Sequence, residues 1–176
     1  MAYSTNWQHV DPRIGMQPID EASSTKRHQL GTIVQAKDVG ANANGSGEFI
    51  YVKGVTNGAA GSWVTYNSDD GGTTLLAADA IGPVGVLMSA LSASTLFGWV
   101  QVQGKAVGKA LAAFADDANV YCTSTAGSVD DAVVAGDLVF NAKGASALDA
   151  PATGFAEFEL ARPFVKNGLD DAIAAP

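Results

Sequence analysis

Two neighbouring runs decide the fold class of this chain: Gly82-Pro-Val-Gly-Val-Leu-Met88 and, after a short link, Phe97-Gly-Trp-Val-Gln-Val-Gln-Gly104-Lys-Ala-Val-Gly108. After Trp99, apolar and polar residues alternate as far as Gln103, which is the period of a β-strand with one buried and one wet face. Gly104 then predicts a turn. Neither run supplies a nucleophile, a general base or a set of metal ligands, so the pattern is typical of a protein that presents a surface.

Short strand-like runs recur from Leu30 onward, with turn residues between them. This spacing predicts an all-β fold, a small antiparallel β-barrel or sandwich. The predicted strands are Thr32–Lys37, Glu48–Val55, Ser62–Tyr66, Thr73–Ala77, Val84–Met88, Trp99–Gln103, Ala118–Thr123, Leu138–Asn141 and Phe155–Ala161. In the last of them, alternation assigns Ala156, Phe158 and Leu160 to the core and turns the two glutamates to the other face.

At most one short helix is predicted. Within Ala106–Ala115, Leu111 and Phe114 mark a short apolar stripe at helical spacing, although Gly108 weakens the pattern.

The first 29 residues differ in character from the rest of the chain. Pro12 and Pro18 bias the residues before them towards extended backbone, and the apolar residues show no helical period. We therefore divide the chain into an extended N-terminal arm (residues 1–29), a β-rich body (30–165) and a loose C-terminal tail (166–176). The arm must dock, either across its own domain or on a neighbouring subunit or another protein, and the sequence leaves both open.

Composition and charge exclude several classes of function. Charged residues make up 16% of the 176 residues, against about 25% in an average globular protein. The net charge of −8 lies in the body, since the charges of the first thirty residues cancel. An acidic body with scattered Lys and Arg disfavours direct binding to nucleic acid. The chain begins without a signal-peptide pattern and has no apolar run of about 18 residues, so we expect folding in the cytoplasm and no membrane partner.

The candidate catalytic and metal-binding residues are isolated from one another. Cys122 is the single cysteine and predicts a small buried thiol. His9 and His28 lack partners at zinc-ligand spacing. The run from Gly104 to Ala110 has too few residues between its glycines for a phosphate-binding loop, and no hydroxyl follows its lysine. We therefore expect no enzymatic activity, no cofactor and no metal ion.

The chain contains four pairs of adjacent aspartates, each followed by Gly or Ala. This context predicts solvated turns and caps rather than acid/base pairs or calcium ligands. The pairs are Asp69-Asp70, Asp116-Asp117, Asp130-Asp131 and Asp170-Asp171.

Several short motifs occur in an order that resembles a known family. They are Gly47-Glu-Phe-Ile-Tyr-Val-Lys-Gly-Val, Ile81-Gly-Pro-Val-Gly-Val, the run from Phe97 to Gly104, Thr125-Ala-Gly-Ser-Val-Asp-Asp-Ala and Leu160-Ala-Arg-Pro. Together they cover roughly Thr32 to Val165, and they look like the capsid decoration, or cement, proteins of tailed bacteriophages.

The resemblance implies a small β-rich structural protein of the virion that is made in the host bacterial cytoplasm. Proteins of this family commonly assemble as homotrimers on the outside of a phage head, where they tie neighbouring major capsid proteins together. Many copies of such a clamp act by multivalency. On this hypothesis the apolar residues of the arm are contacts to the capsid or to an adjacent subunit, because such groups form the energetic centres of interfaces. These candidates are Trp7, Val10, Ile14, Met16 and Ile19.

Deletion of residues 1–20 is then expected to weaken capsid attachment and to leave the body folded, whereas an unfolded deletion variant would mean that the arm belongs to the core. The alternative class is a receptor- or glycan-binding β-module of a phage tail or fibre, in which Trp63, Tyr66 or Trp99 would stack on sugar rings. Clustering of these rings on one exposed face would favour that module, and their burial would favour the cement protein.

Overall fold

A computed structural model describes residues 6–10, 15–40 and 44–166 of the chain. The described residues form strands joined by turns and contain no helix, which confirms the predicted all-β class. The strands are β1 (Trp7–His9), β2 (Ile33–Asp38), β3 (Ser46–Lys53), β4 (Trp63–Tyr66), β5 (Thr73–Leu75), β6 (Gly82–Leu87), β7 (Phe97–Lys109), β8 (Asn119–Cys122), β9 (Val129–Asp130), β10 (Leu138–Gly144) and β11 (Phe155–Val165). Of the predicted C-terminal tail, only Lys166 lies within the described residues.

The strands pair antiparallel in one sheet that does not close into a barrel. Its main path runs β1-β2-β3-β7-β6-β11-β10-β8-β9, and β4 pairs with both β5 and β6. The barrel alternative is therefore wrong for the described residues, and the sandwich-like alternative is consistent with the topology. The long strands β7 and β11 pair with each other. In addition, β7 pairs with β3 and β6, and β11 pairs with β6 and β10.

Each of the nine predicted strands overlaps a strand of the structure. Alternation in β11 is confirmed, because Ala156, Phe158 and Leu160 are buried. Strands β1 and β9 were not predicted, because three and two residues are too few to show a period of two.

Gly104 does not form the predicted turn but lies inside β7, where it pairs with Leu160. Its φ of +93° is nevertheless outside the range of most residues. A Cβ atom at this position would overlap the carbonyl oxygen of Ser46. β7 passes here from pairing with β3 to pairing with β11, so the glycine marks a change of partner within one strand.

The predicted helix Ala106–Ala115 is also wrong. Ala106 to Lys109 are the end of β7 and pair with β11, and the chain then turns, with Ala113 at a φ of +72°. Pairing with β11, together with the bond of 2.8 Å that the Lys109 N–H donates to the Gly61 carbonyl oxygen, holds this segment extended, so tertiary pairing overrides local helix preference. Phe114 is buried, as expected of the apolar stripe, but it lies in the turn region.

The buried side chains form three clusters on the two faces of the sheet. The largest surrounds Trp63 and Phe158, whose rings meet edge to face at 4.8 Å. A second contains Val52, Leu87 and Val100. The third lies beneath the N-terminal arm and consists of Trp7, Ile19, Ala36, Phe49, Tyr51 and Trp99. The arm therefore contributes to the core of the body.

Candidate functional site

The N-terminal arm docks on its own chain. β1 adds to the edge of the sheet by pairing with β2, and the Trp7 ring meets the Phe49 ring edge to face at 4.9 Å. Further along the arm, Ser23 and Phe97 exchange two backbone hydrogen bonds of 2.9 and 2.7 Å. Of the two docking modes that the sequence left open, the described residues adopt the first.

In the docked arm, the predicted contact residues differ in how far they are buried. Trp7 and Ile19 lie in the cluster beneath the arm, with 5% and 0% of their surface exposed. Val10 is 55% exposed, and Met16 is half-buried. Ile14 lies outside the described residues. In this conformation Val10 is the one described candidate that presents a large apolar surface to a partner.

Gln17 is the polar centre of the docked arm, although nothing in the sequence singled it out. It is fully buried, and its side chain amide donates to the carbonyl oxygens of Glu21 at 2.7 Å and Phe97 at 2.9 Å. The Tyr51 hydroxyl donates to its Oε1 atom at 2.7 Å. These contacts satisfy a buried carboxamide and fix the arm to β3 and β7.

Both histidines of the chain contact the backbone of Gln17. The Gln17 N–H donates to Nε2 of His28 at 3.0 Å, and Nε2 of His9 lies 3.0 Å from the Gln17 carbonyl oxygen. Because a carbonyl oxygen only accepts, His9 carries a proton on Nε2, whereas His28 must lack one there. Burial, and then the charges of His9 and Arg27, lower the pKa of His28 below its usual value of 6.5.

A second candidate surface lies far from the arm in sequence and consists of exposed apolar residues on neighbouring strands. Phe140 of β10 lies directly opposite Phe164 of β11, and Phe164 lies opposite Pro83 of β6. Residues directly opposite across strands have neighbouring side chains on the same face. Phe140 and Phe164 are 43% and 37% exposed, and Ile81, two residues before Pro83, is 65% exposed. We call Phe140, Phe164 and the half-buried Pro83 the apolar face.

Simple alternation could not predict the apolar face. A period of two that buries Phe158 and Leu160 would bury Phe164 as well. However, the pairing register between β10 and β11 shifts between Phe140 and Ala142, and the segment of β11 opposite this shift contains Arg162. Arg162 has a φ of +56°, and beyond it Pro163 and Val165 point inward. This irregularity reverses the faces of the strand and turns Phe164 outward.

All three tryptophans of the chain are buried. Trp63 and Trp99 have no exposed surface, Trp7 has 5%, and Tyr66 is half-buried. The cluster of exposed rings that would favour a glycan-binding module does not form from these residues.

The cysteine and the paired aspartates, which were candidates for catalysis or metal binding, have structural surroundings. Cys122 is a buried thiol, as predicted, and burial followed by the charge of Asp137 raises its pKa to about 12. In the three described aspartate pairs, carboxylates accept backbone N–H groups at 2.8–2.9 Å. Asp69-Asp70 and Asp116-Asp117 lie in turns, as predicted, whereas Asp130 is the last residue of β9. Asp170-Asp171 lies outside the described residues.

Two absences hold for the part of the chain that the structure describes. It contains no group of three or more His, Cys, Asp or Glu side chains placed to hold a metal ion. It also contains no helix with the length and apolar character needed to cross a membrane.

Comparisons of the chain with protein-family models, with curated proteins and with solved structures gave no match.

Proposed function

We propose that this chain is a capsid decoration protein that binds the outer surface of a tailed-phage head and stabilises contacts between major capsid proteins. Apart from the sequence motifs, the observation that supports the proposal is the apolar face. An exposed group of large apolar side chains on a folded protein marks a surface that another protein covers.

The geometry of the apolar face suits a permanent attachment. Phe140, Phe164 and Pro83 project from three hydrogen-bonded strands, so their backbone is already ordered before binding. A preordered surface loses little conformational entropy on association. Two exposed phenylalanines side by side also supply a large apolar area, which is the character of energetic centres at interfaces.

The remaining surface supports a structural role. Several charged side chains already pair within the chain: Lys105 with Glu157 at 2.6 Å, Lys143 with Asp117 at 2.7 Å, and Arg162 with Glu48 at 2.5 Å. The net charge of −8 disfavours attraction to nucleic acid. A protein of this kind acts through contact area repeated over many copies.

The proposal assigns the main capsid contact to the apolar face and a lesser contact to the arm. Trp7 and Ile19 already have partners in the core of their own chain, so presenting them to a capsid would require the arm to undock. Of the candidate contact residues in the described part of the arm, Val10 and Met16 are the two that a partner can reach without undocking. Self-association as a homotrimer is a further part of the proposal.

Cosedimentation with phage heads assembled without this protein tests the proposal. Full-length protein should bind saturably, and Phe140→Ser or Phe164→Ser should each weaken binding by at least about tenfold, or roughly 1.4 kcal/mol. Val133→Ser is the matched control, because Val133 is 80% exposed between β9 and β10 and belongs neither to the apolar face nor to the arm. A well-folded full-length protein that does not bind heads would overturn the proposal.

A further inference from the structure

The contacts between Gln17 and His28 depend on the protonation state of one imidazole. In the docked arm, Nε2 of His28 accepts the Gln17 N–H at 3.0 Å. A protonated imidazole has N–H groups at both ring nitrogens and accepts nothing. Protonation of His28 would therefore replace an attractive contact with two facing donors and leave a buried backbone N–H without a partner.

Among the described residues, no carboxylate bonds to the His28 ring to stabilise a positive charge. On the arm it faces His9 and the Arg27 guanidinium, and Arg27 is itself paired with Glu21 at 3.7 Å. From the sheet it meets the rings of Tyr51, at 4.9 Å, and Trp99, at 5.3 Å. The Tyr51 hydroxyl is already bonded to Gln17 and to the backbone N–H of Arg27.

Solvent protons can nevertheless reach this site. His9 and His28 both line a surface groove of about 600 Å³, together with Val10, Met16 and Arg27. The histidine is thus close enough to water to titrate and sufficiently buried for its charge to be costly.

We propose that Gln17 and His28 form a pH-sensitive latch that holds the N-terminal arm on the sheet at neutral pH and releases it on acidification. Release would uncover the edge of β2 and free Trp7 and Ile19, the arm residues that the docked state hides. The latch stands on the contacts of Gln17 and does not depend on the capsid proposal.

The direction of the pH dependence follows from proton linkage. His28 has a lower pKa in the docked state than in the released state, where the usual value of 6.5 applies. Above that value both states are neutral and the latch has its full stability. As the pH falls below about 6.5, the released state binds the proton first, so docking weakens progressively until the lowered pKa is passed.

Hydrogen exchange of the three indole N–H groups, followed by NMR, tests the latch in the full-length protein. The Trp99 indole donates to the Gln17 carbonyl oxygen at 3.1 Å, and Trp7 lies on the arm. Trp63 lies in the other cluster and serves as an internal reference for the intrinsic effect of pH and for the fold of the body. Between about pH 7.5 and about pH 5, the exchange rates of Trp7 and Trp99 relative to Trp63 should rise several-fold, because protonation of His28 favours the released arm.

Two variants assign the effect to His28. In His28→Gln, a side-chain oxygen can accept the Gln17 N–H at every pH, so the relative exchange rates should stay constant. In His9→Gln the rise should persist, because His9 donates its hydrogen bond from Nε2 and can do so whether or not the ring is protonated. Constant relative rates in the natural sequence, or a rise that persists in His28→Gln, would overturn the proposal.

Discussion

Cys122 shows how position sets the chemistry of a single side chain. It lies in the cluster around Trp63 without exposed surface, and its pKa is raised to about 12 by burial and by the Asp137 carboxylate. The thiol is therefore protonated and inaccessible at neutral pH. We expect a thiol-reactive disulfide reagent to modify Cys122 only after denaturation, and equal rates in native and denatured protein would contradict this expectation.

The same thiol predicts a loss of stability in alkali. Because the folded pKa lies above the usual 9.0, the unfolded state loses its thiol proton first as the pH rises through 9.0. The contribution of Cys122 to the free energy of unfolding is complete below that pH and declines above it, towards about pH 12. Urea denaturation at pH 7.5 and about pH 10.5 measures the decline, which Cys122→Ala should reduce.

Gly104 carries a second prediction. Gly104→Ala should lower the free energy of unfolding by about 2 kcal/mol or more, because the new Cβ adds an overlap with the Ser46 carbonyl to the strain of a positive φ. Gly154→Ala is the matched control, since its φ is +78° and no atom lies within 4 Å of the new Cβ. Its cost should be about 1 kcal/mol. Equal costs in urea denaturation would contradict the overlap.

The N-terminal arm combines an edge strand with anchors in the core, so its residues differ greatly in their effect on stability. Trp7→Ala should lower the free energy of unfolding by about 3–5 kcal/mol, because it leaves a cavity over Phe49. Val10→Ala, only three residues away but 55% exposed, should change it by less than about 0.5 kcal/mol. Similar values for the two variants would mean that the arm undocks readily.

This docking changes what deletion of residues 1–20 should do. The sequence led to the expectation that the body would remain folded without them. In the structure, the deletion removes Trp7 and Ile19 from the cluster that they form with Phe49, Tyr51 and Trp99, and it removes the hydrogen bonds of the Gln17 side chain. A shortened chain that loses stability would agree with the docking, and loss of head binding by such a chain would not locate the capsid contact.

The strands of the body were predictable because their buried and exposed residues alternate locally. The run from Phe155 to Ala161 shows this directly, since its buried residues are those that a period of two selects. Features that depend on a partner strand were not predictable. The position of Gly104 inside β7 and the reversal of faces at Arg162 both arise from pairing between distant segments.

For the candidate sites too, local features were predictable from the sequence and contacts between distant segments were not. Apolar residues in the arm were visible in the sequence, but whether they pack on their own chain depends on Phe49, Tyr51 and Trp99, which belong to distant strands. The apolar face combines residues from β6, β10 and β11, and no short window of sequence contains them all. Gln17 was missed because its partners are backbone atoms and a tyrosine of other segments.

For the molecule as a whole, the apolar face has two possible partners under the proposed function, a second copy of the chain or the capsid. We expect the full-length protein to sediment at three times the chain mass of 17.9 kDa. Phe164→Ser should keep that mass and lose head binding, because the proposal places the capsid on the apolar face. A variant that sediments at 17.9 kDa would instead assign this face to the subunit interface. Loss of head binding would then follow from loss of multivalency, since each chain would attach through one contact instead of three linked ones.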